Sequence, residues 1–223
     1  MQQHIVKIQS IENITHDVLK IVTEKPEKYH FTPGQATDVS INKNDWKDKK
    51  NPFTFTCLPE NNYLEFIIKT YPLRKSMTNE LLKLKIHDEL ILHEVFGAIN
   101  YEGEGTFIAG GAGVTPFISI FRDLQSKKEV ENNKLIFANK KKEDIILENE
   151  FKKLLGNNFI NILSDEKVEG YANGQITKDF IEANNSGINK LFYLCGPPPM
   201  MEAIEKQLTD LHVDKKSIIK EAF

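Results

Sequence analysis

Hydrophobic and polar residues alternate in short runs through the first hundred positions. HIVKIQSI (4–11), DVLKIVT (17–23), ATDVSI (36–41), PFTFTC (52–57), YLEFIIKTY (63–71) and ELILHEVF (89–96) read as strands, each with apolar side chains recurring at period two. Turn material such as Thr32-Pro33-Gly34 and Glu60-Asn61-Asn62 separates them. Six strands at this spacing predict an antiparallel barrel. One helix interrupts them over SMTNELLKLK (76–85), with Ser76 or Thr78 as its cap and Leu81, Leu82 and Leu84 on one side.

Past Gly97 the period changes. TFIAG (106–110), KLIFAN (134–139), FINIL (159–163), KLFYLC (190–195) and SIIKEAF (217–223) are apolar runs, the pattern of strands covered on both faces. Helices are predicted between them at 114–126, 144–155, 177–184 and 198–211. This alternation predicts an α/β unit with an open parallel sheet of five strands. The join falls at GAINYEGEG (97–105), dividing the chain into a barrel domain, 1–100, and a sheet domain, 101–223.

The 223 residues are 40% hydrophobic and 27% charged, with 14 Phe. That is ample for two cores and excludes disordered, collagen-like and coiled-coil classes. A formal net charge of -3 leaves no basic face to explain, which argues against nucleic acid as the main partner. Cys57 and Cys195 are the only cysteines, too few for a four-thiolate iron–sulfur cluster or an all-cysteine zinc site. A metal redox centre would therefore sit in a partner. The N-terminus alternates without an apolar h-region and reads as a first strand, not a signal peptide. The longest uncharged run, 105–121, is broken by GGAG and Pro116 and is shorter than the roughly 20 residues of a membrane span. A cytoplasmic monomer is expected.

Two motifs carry chemistry. In GGAGVTP (110–116) a glycine turn follows an apolar strand and opens a helix, so that Gly110, Gly111, Gly113, Thr115 and Pro116 bring a ligand to backbone N–H groups at the positive end of that helix. Alone, the motif is equally well a tight strand-to-helix connection. YLCGPPPMM (193–201) sets Cys195, Gly196, Pro197 and Met200 at the carboxyl end of the fourth parallel strand, where open parallel sheets bind ligands. The plain alternative for Cys195 is a small buried core residue.

GGAGVTP with CGPPPM, preceded by FTPGQ (31–35) and NPFTFT (51–56), resembles the ferredoxin-NADP+ reductase superfamily, in which a flavin-binding antiparallel barrel precedes a nicotinamide-binding parallel sheet. The resemblance spans nearly the whole chain and implies FAD and NADH or NADPH as cofactors. Pro52, Phe53 and Thr54 stand at the family's flavin motif, with Asn51 in place of its arginine. By resemblance Phe53 lies against the flavin ring and the Thr54 hydroxyl lies near N5; the alternative is an ordinary barrel strand. Ile68, Thr70 and Tyr71 of the following strand, 63–71, join the implied contacts, Tyr71 as an adenine stack. Ser76, Met77 and Thr78 match a phosphate motif without its glycine, and Arg74 either replaces the charge missing at Asn51 or is a solvated loop residue. Glu221-Ala222-Phe223 resembles the acid-x-aromatic ending of plant-type reductases, which implies Phe223 as a cover over the flavin and Glu221 near the reaction zone. Phe223 is equally well a last core residue.

The implied activity is hydride transfer from NAD(P)H to FAD, then electron transfer to a separate acceptor such as an acidic flavodoxin or ferredoxin. The stretch LIFANKKKEDIILENEF (135–151) resembles NADH-dependent cytochrome-b-type reductases, with Asn139 at the strand end where the adenine ribose is read. Lys140, Lys141 and Lys142 offer cations for a 2'-phosphate, so electrostatics and resemblance point apart; NADH is expected. Lys43, Lys47, Lys49 and Lys50 around Trp46 form either a solvated loop or a docking face. Rival readings are a nucleotide-binding redox module without FAD, a free-flavin reductase, and an electron-transfer subunit of a larger complex.

Overall fold

The computed structural model describes residues 3–71, 76–185 and 191–221. The chain divides into two compact units, one of residues 1–100 with 115–123 and one of 101–114 with 124–223.

In the first unit six antiparallel strands run in the order β4-β3-β6-β1-β2-β5. They are β1 (His4–Thr15), β2 (Val18–Glu24), β3 (Ala36–Ile41), β4 (Asn51–Thr54), β5 (Tyr63–Lys69) and β6 (Glu89–Phe96). An isolated bridge, Phe55↔Phe66, joins the chain just past β4 to β5 and closes the ring. Alternation decides what lies inside: Val6, Ile8, Leu64, Phe66, Leu90 and Leu92 point into one core. Phe55 lies in that core, its ring stacked on Phe31 at 4.2 Å and tilted against Phe66 at 5.3 Å.

The helix predicted over 76–85 is only five residues long, α1 (Met77–Leu81). Met77, Leu81 and, past the helix, Leu84 drop into the barrel core, while Leu82 and Ile86 remain exposed, so Leu82 does not share the buried side with Leu81 and Leu84.

The second unit is a parallel sheet in the order β10-β9-β8-β7-β11-β12. Its strands are β7 (Gly105–Gly110), β8 (Lys134–Asn139), β9 (Phe159–Leu163), β10 (Ala172–Asn173), β11 (Leu191–Cys195) and β12 (Ile218–Lys220). The sheet thus has six strands where the sequence pattern predicts five. The extra one, β10, pairs Ala172 with Ile162 and Asn173 with Leu163. Two residues carry no periodicity; the Asn173 side-chain amide, which donates to the Leu163 and Glu166 carbonyls, holds the strand in place.

The helices are α2 (Thr115–Lys127), α3 (Glu148–Leu155), α4 (Lys178–Asn184) and α5 (Pro198–Asp210). One sheet face packs Ile108, Ile136, Ile162 and Phe192 against Ile181 of α4 and Ile204 of α5. On β7 and β11, Phe107 and Tyr193 stack at 4.1 Å. The Tyr193 hydroxyl donates to the Gly103 carbonyl and accepts from the Glu102 N–H. Burial pushes that phenol up to about 12, so it stays a donor.

Candidate functional site

In the barrel unit Pro52, Phe53 and Thr54 lie where the ring is least closed. Strand β4 pairs with β3 through Ala36↔Thr54, Thr37↔Phe53 and Asp38↔Pro52. Its other edge meets β5 only at the Phe55↔Phe66 bridge among the described residues. Beyond that bridge no ladder joins 51–54 to 67–69 among the described residues, so this stretch of β4 is a strand edge. Phe53 is half-buried against the core, Pro52 is exposed and Thr54 is buried. An open strand edge flanked by an aromatic ring and a hydroxyl fits a flat heteroaromatic ring such as a flavin.

The other predicted flavin contacts behave less uniformly. Ile68 and Met77 are core residues whose side chains face the barrel interior. Thr70 is tied to the β1–β2 turn, its N–H and hydroxyl both donating to the Asp17 carbonyl. Tyr71 is 41% exposed. Ser76 and Thr78 share a hydrogen bond between hydroxyls at 3.0 Å, and Ser76 does not cap α1 through its side chain. Arg74 and Phe223 lie outside the described residues.

In the sheet unit the chain leaves β7 in one direction through β8, β9 and β10, then returns to β11 and β12 on the other side of β7. The crevice at such a reversal, outside the carboxyl ends of the strands, is where open α/β sheets take ligands. Here β7 and β11 are neighbours in register Leu194↔Ile108 and Cys195↔Ala109, so GGAGVTP and CGPPPM both leave the sheet at this crevice. Their glycines are required by contact between the two loops. A Cβ on Gly113 would lie 2.2 Å from the Cys195 carbonyl oxygen, and one on Gly110 would lie 2.4 Å from Met200 Sδ. Gly111 is different: φ is +52° and a Cβ there meets nothing within 4 Å. Gly111–Val114 forms a 3-10 turn and α2 begins at Thr115, with Pro116 in its first turn and no side-chain cap. The N-cap residue Val114 makes no side-chain cap bond, and a helix N-terminus is where anions are favoured.

Opposite, Pro197 is the extended cap of α5, and Pro198 with Pro199 opens the helix, a first turn fixed by ring closure. Gly196 lies between Cys195 and this cap, where a Cβ would press on Gly110 at 3.2 Å. Cys195 is 4% exposed. Burial pushes its thiol up to about 12, and the Glu221 carboxylate pushes the same way. Cys195 therefore stays a neutral thiol near pH 7. At the end of β8, Asn139 is 8% exposed, and its side-chain N–H group has no hydrogen-bond partner among the described residues, an orphan donor suited to a ligand oxygen.

Sequence reasoning missed the acidic residues just past β9. Lys141, Glu143, Asp165 and Glu166 line a cavity of about 280 Å³. The Asp165 N–H donates to the Lys140 carbonyl and the Lys142 N–H to the Glu166 carboxylate, which ties the loops after β8 and β9 together. The signal was present in SDE (164–166), an acidic pair at the carboxyl end of a parallel strand. Also missed was Tyr171, which donates to Glu148 and receives Lys152 at 3.3 Å, with the Lys142 ammonium 5.3 Å above its ring. Partial burial works against the Glu148 charge, but hydrogen bonds from Lys152 and Tyr171 outweigh it and hold the carboxyl below its ordinary range.

Two domain families match the chain, and their matches overlap over residues 107–139. The FAD-binding domain family matches residues 3–139, and the oxidoreductase NAD-binding domain family matches residues 107–206. The chain belongs to the ferredoxin-NADP+ reductase superfamily. A ferredoxin-NADP+ reductase from Neisseria gonorrhoeae, solved with bound FAD and NADP, superposes with a TM-score of 0.86 over 99% of this chain and 98% of its own, at 17% identity. NADH-cytochrome b5 reductase 2 of Mycosarcoma maydis is 29% identical over 220 residues, 88% of this chain and 62% of the relative. The reductase component of propane 2-monooxygenase from Mycolicibacterium smegmatis is 26% identical over 97% of this chain and 66% of its own length. The chain thus spans just under two thirds of these two relatives. As a superfamily member it carries the FAD-binding and NAD-binding oxidoreductase domains, and no helix among the described residues is long and apolar enough to cross a membrane.

Proposed function

We propose that this protein is a flavoprotein reductase that oxidises NADH and delivers the electrons to a separate redox protein. The observation that carries the reading is the β7/β11 crevice, where two glycine-containing loops meet at the sheet's point of reversal, in a chain that also holds a FAD-binding domain. FAD bound to the barrel would supply the chemistry, accepting two electrons as hydride and releasing them one at a time. The protein's part is placement. Phe53 and Thr54 present a ring face and a hydroxyl at the open β4 edge, and Ser76 and Thr78 offer hydroxyls to phosphate. The α2 N-terminus and Asn139 hold the nicotinamide nucleotide. Cys195, a neutral thiol, packs beside the reacting ring with Glu221 behind it, and neither acts as acid or base.

The choice of NADH rests on charge. Around the cavity beside Asn139 stand three carboxylates, Glu143, Asp165 and Glu166, against the Lys141 ammonium, which lies 3.6 Å from Glu143. Carboxylates accept hydrogen bonds from a ribose diol and repel a 2'-phosphate. Asp165→Arg is expected to raise kcat/KM for NADPH relative to NADH by about tenfold or more, measured by steady-state flavin-dependent oxidation of the two nucleotides. An unchanged ratio would remove this cavity from the specificity assignment.

The relatives named above serve different acceptors by name, a cytochrome b5 and a monooxygenase, which supports a separate electron carrier for this chain. We place its docking face on the lysines of residues 43–50, where the Lys49 ammonium lies 4.2 Å above the Trp46 ring, and we infer an acidic flavodoxin or ferredoxin as the partner. Reoxidation of the reduced protein by such carriers, with loss of rate at high salt, tests this.

A further inference from the structure

Helix α2 is held to the barrel unit by polar tethers one turn apart. Ser119 Oγ accepts the Gly34 N–H at 3.0 Å. Arg122 Nη1 donates to the Thr56 carbonyl at 2.7 Å and to Glu65 Oε1 at 2.6 Å. The same carboxylate oxygen accepts the Thr56 hydroxyl at 2.8 Å. Side-chain exposure is 22% for Arg122 and 9% for Glu65. Gly34 in FTPGQ is part of this seat: its φ is +96°, and a Cβ there would lie 2.2 Å from the Ile99 carbonyl oxygen and 3.2 Å from Ile120 Cδ1. The motif therefore serves a close backbone approach at Ile99 and, through the Gly34 N–H, the seat of the helix.

A largely buried ion pair is a poor way to add stability, since apolar side chains of similar size do as well or better. What it adds is direction. One guanidinium nitrogen bound to a backbone carbonyl and a carboxylate fixes where the helix sits along its own axis, whereas apolar contacts alone tolerate slip. The first turn of α2 continues by peptide bond from Gly111–Val114, the loop at the nucleotide crevice.

We propose that Arg122 and Glu65 are positioning residues for nicotinamide oxidation: they fix the axial register of α2, and with it the nucleotide loop joined to its N-terminus. They would thereby set the rate of flavin reduction and not the retention of FAD. This rests on the reductase reading above.

The test compares the flavin-loaded wild type with Arg122→Met, Arg122→Lys and Glu65→Gln. Four quantities are read: flavin per chain, hydrogen exchange of the 115–123 amides, NAD+ affinity, and the bleaching rate at saturating NADH. Arg122→Met keeps the side-chain length without the donors. It is expected to retain flavin, to speed exchange in α2 alone, to bind NAD+ within about twofold of wild type, and to bleach about tenfold more slowly. Arg122→Lys recovers part of the rate, because an ammonium reaches the acceptors without the planar fork. Should Arg122→Met not fold, Glu65→Gln keeps the shape and removes the charge, with a smaller slowing expected. Wild-type bleaching in the variants despite faster α2 exchange overturns the proposal, as does a slowing that only follows flavin loss. Wild-type protein that neither NADH nor NADPH bleaches overturns the reductase reading, and the proposal falls with it. Unchanged α2 exchange in the variants overturns the proposal alone.

Discussion

Gly113→Ala is expected to slow reduction by nicotinamide about a hundredfold while leaving FAD in the barrel. An added Cβ would stand 2.2 Å from the Cys195 carbonyl oxygen, 2.5 Å from its carbon and 2.7 Å from the Gly196 Cα. All three are backbone atoms at the end of a central strand, so nothing flexible can turn aside and the two loops must part. Overpacking of this kind costs about 3 kcal/mol, and a displacement near 1 Å at a hydride-transfer site lowers the rate about a hundredfold. The neighbouring glycines supply the contrast. At Gly110 the nearest obstacle is Met200 Sδ, which can swing, so alanine there should cost less. At Gly111 there is no obstacle within 4 Å, only φ of +52°, and alanine should cost about 1 kcal/mol of backbone strain. Stopped-flow bleaching and thermal unfolding on the three variants check this order; equal effects at Gly111 and Gly113 would show that contact between the loops is not what matters.

Phe55→Ala is expected to yield a destabilised protein purified without flavin. Phe55 is wholly buried, stacked on Phe31 and in contact with Phe66 and Tyr29, and its backbone makes the bridge that closes the ring. Truncating a buried phenylalanine costs about 3–5 kcal/mol through lost transfer energy and a residual cavity. The loss should fall hardest on Pro52–Thr54, which this bridge anchors beside β5. Urea unfolding with and without added FAD measures both effects, since a ligand that binds only the folded state raises its stability by mass action. A Phe55→Ala protein with full flavin content would show that the seam does not depend on the bridge.

Both substitutions fall in motifs visible in the sequence, and the reason they were visible is local. Strands β6, β8 and β9 have the ends their apolar runs predict, because each run is bounded by turn residues and filled with side chains that must be buried. Strand β1 runs on to Thr15, beyond the apolar run ending at Ile11, because its hairpin with β2 supplies hydrogen bonds that no periodicity records. Strand β10 escaped for the same reason. Among site residues, the glycines at 110, 111 and 113 and the prolines at 197–199 announce themselves by backbone demands that other residues meet poorly. Arg122 and Glu65 do not. They lie 57 positions apart, and a lone glutamate inside YLEFIIK reads as an outward strand position until α2 is laid over it. The acidic rim at Asp165 and Glu166 was similarly hidden, because its meaning depends on lying beside the carboxyl end of β8 and not on its own spacing.

The central claim is that one chain binds FAD in its barrel and passes it electrons from NADH. It is tested most directly by extracting and counting the flavin of the purified protein, then mixing that protein anaerobically with NADH or NADPH in a stopped-flow spectrophotometer at 450 nm. One FAD per chain, bleached fully by NADH and more slowly by NADPH, is the expected result. FMN or no flavin in the extract, or bound FAD that neither nucleotide bleaches, would contradict it.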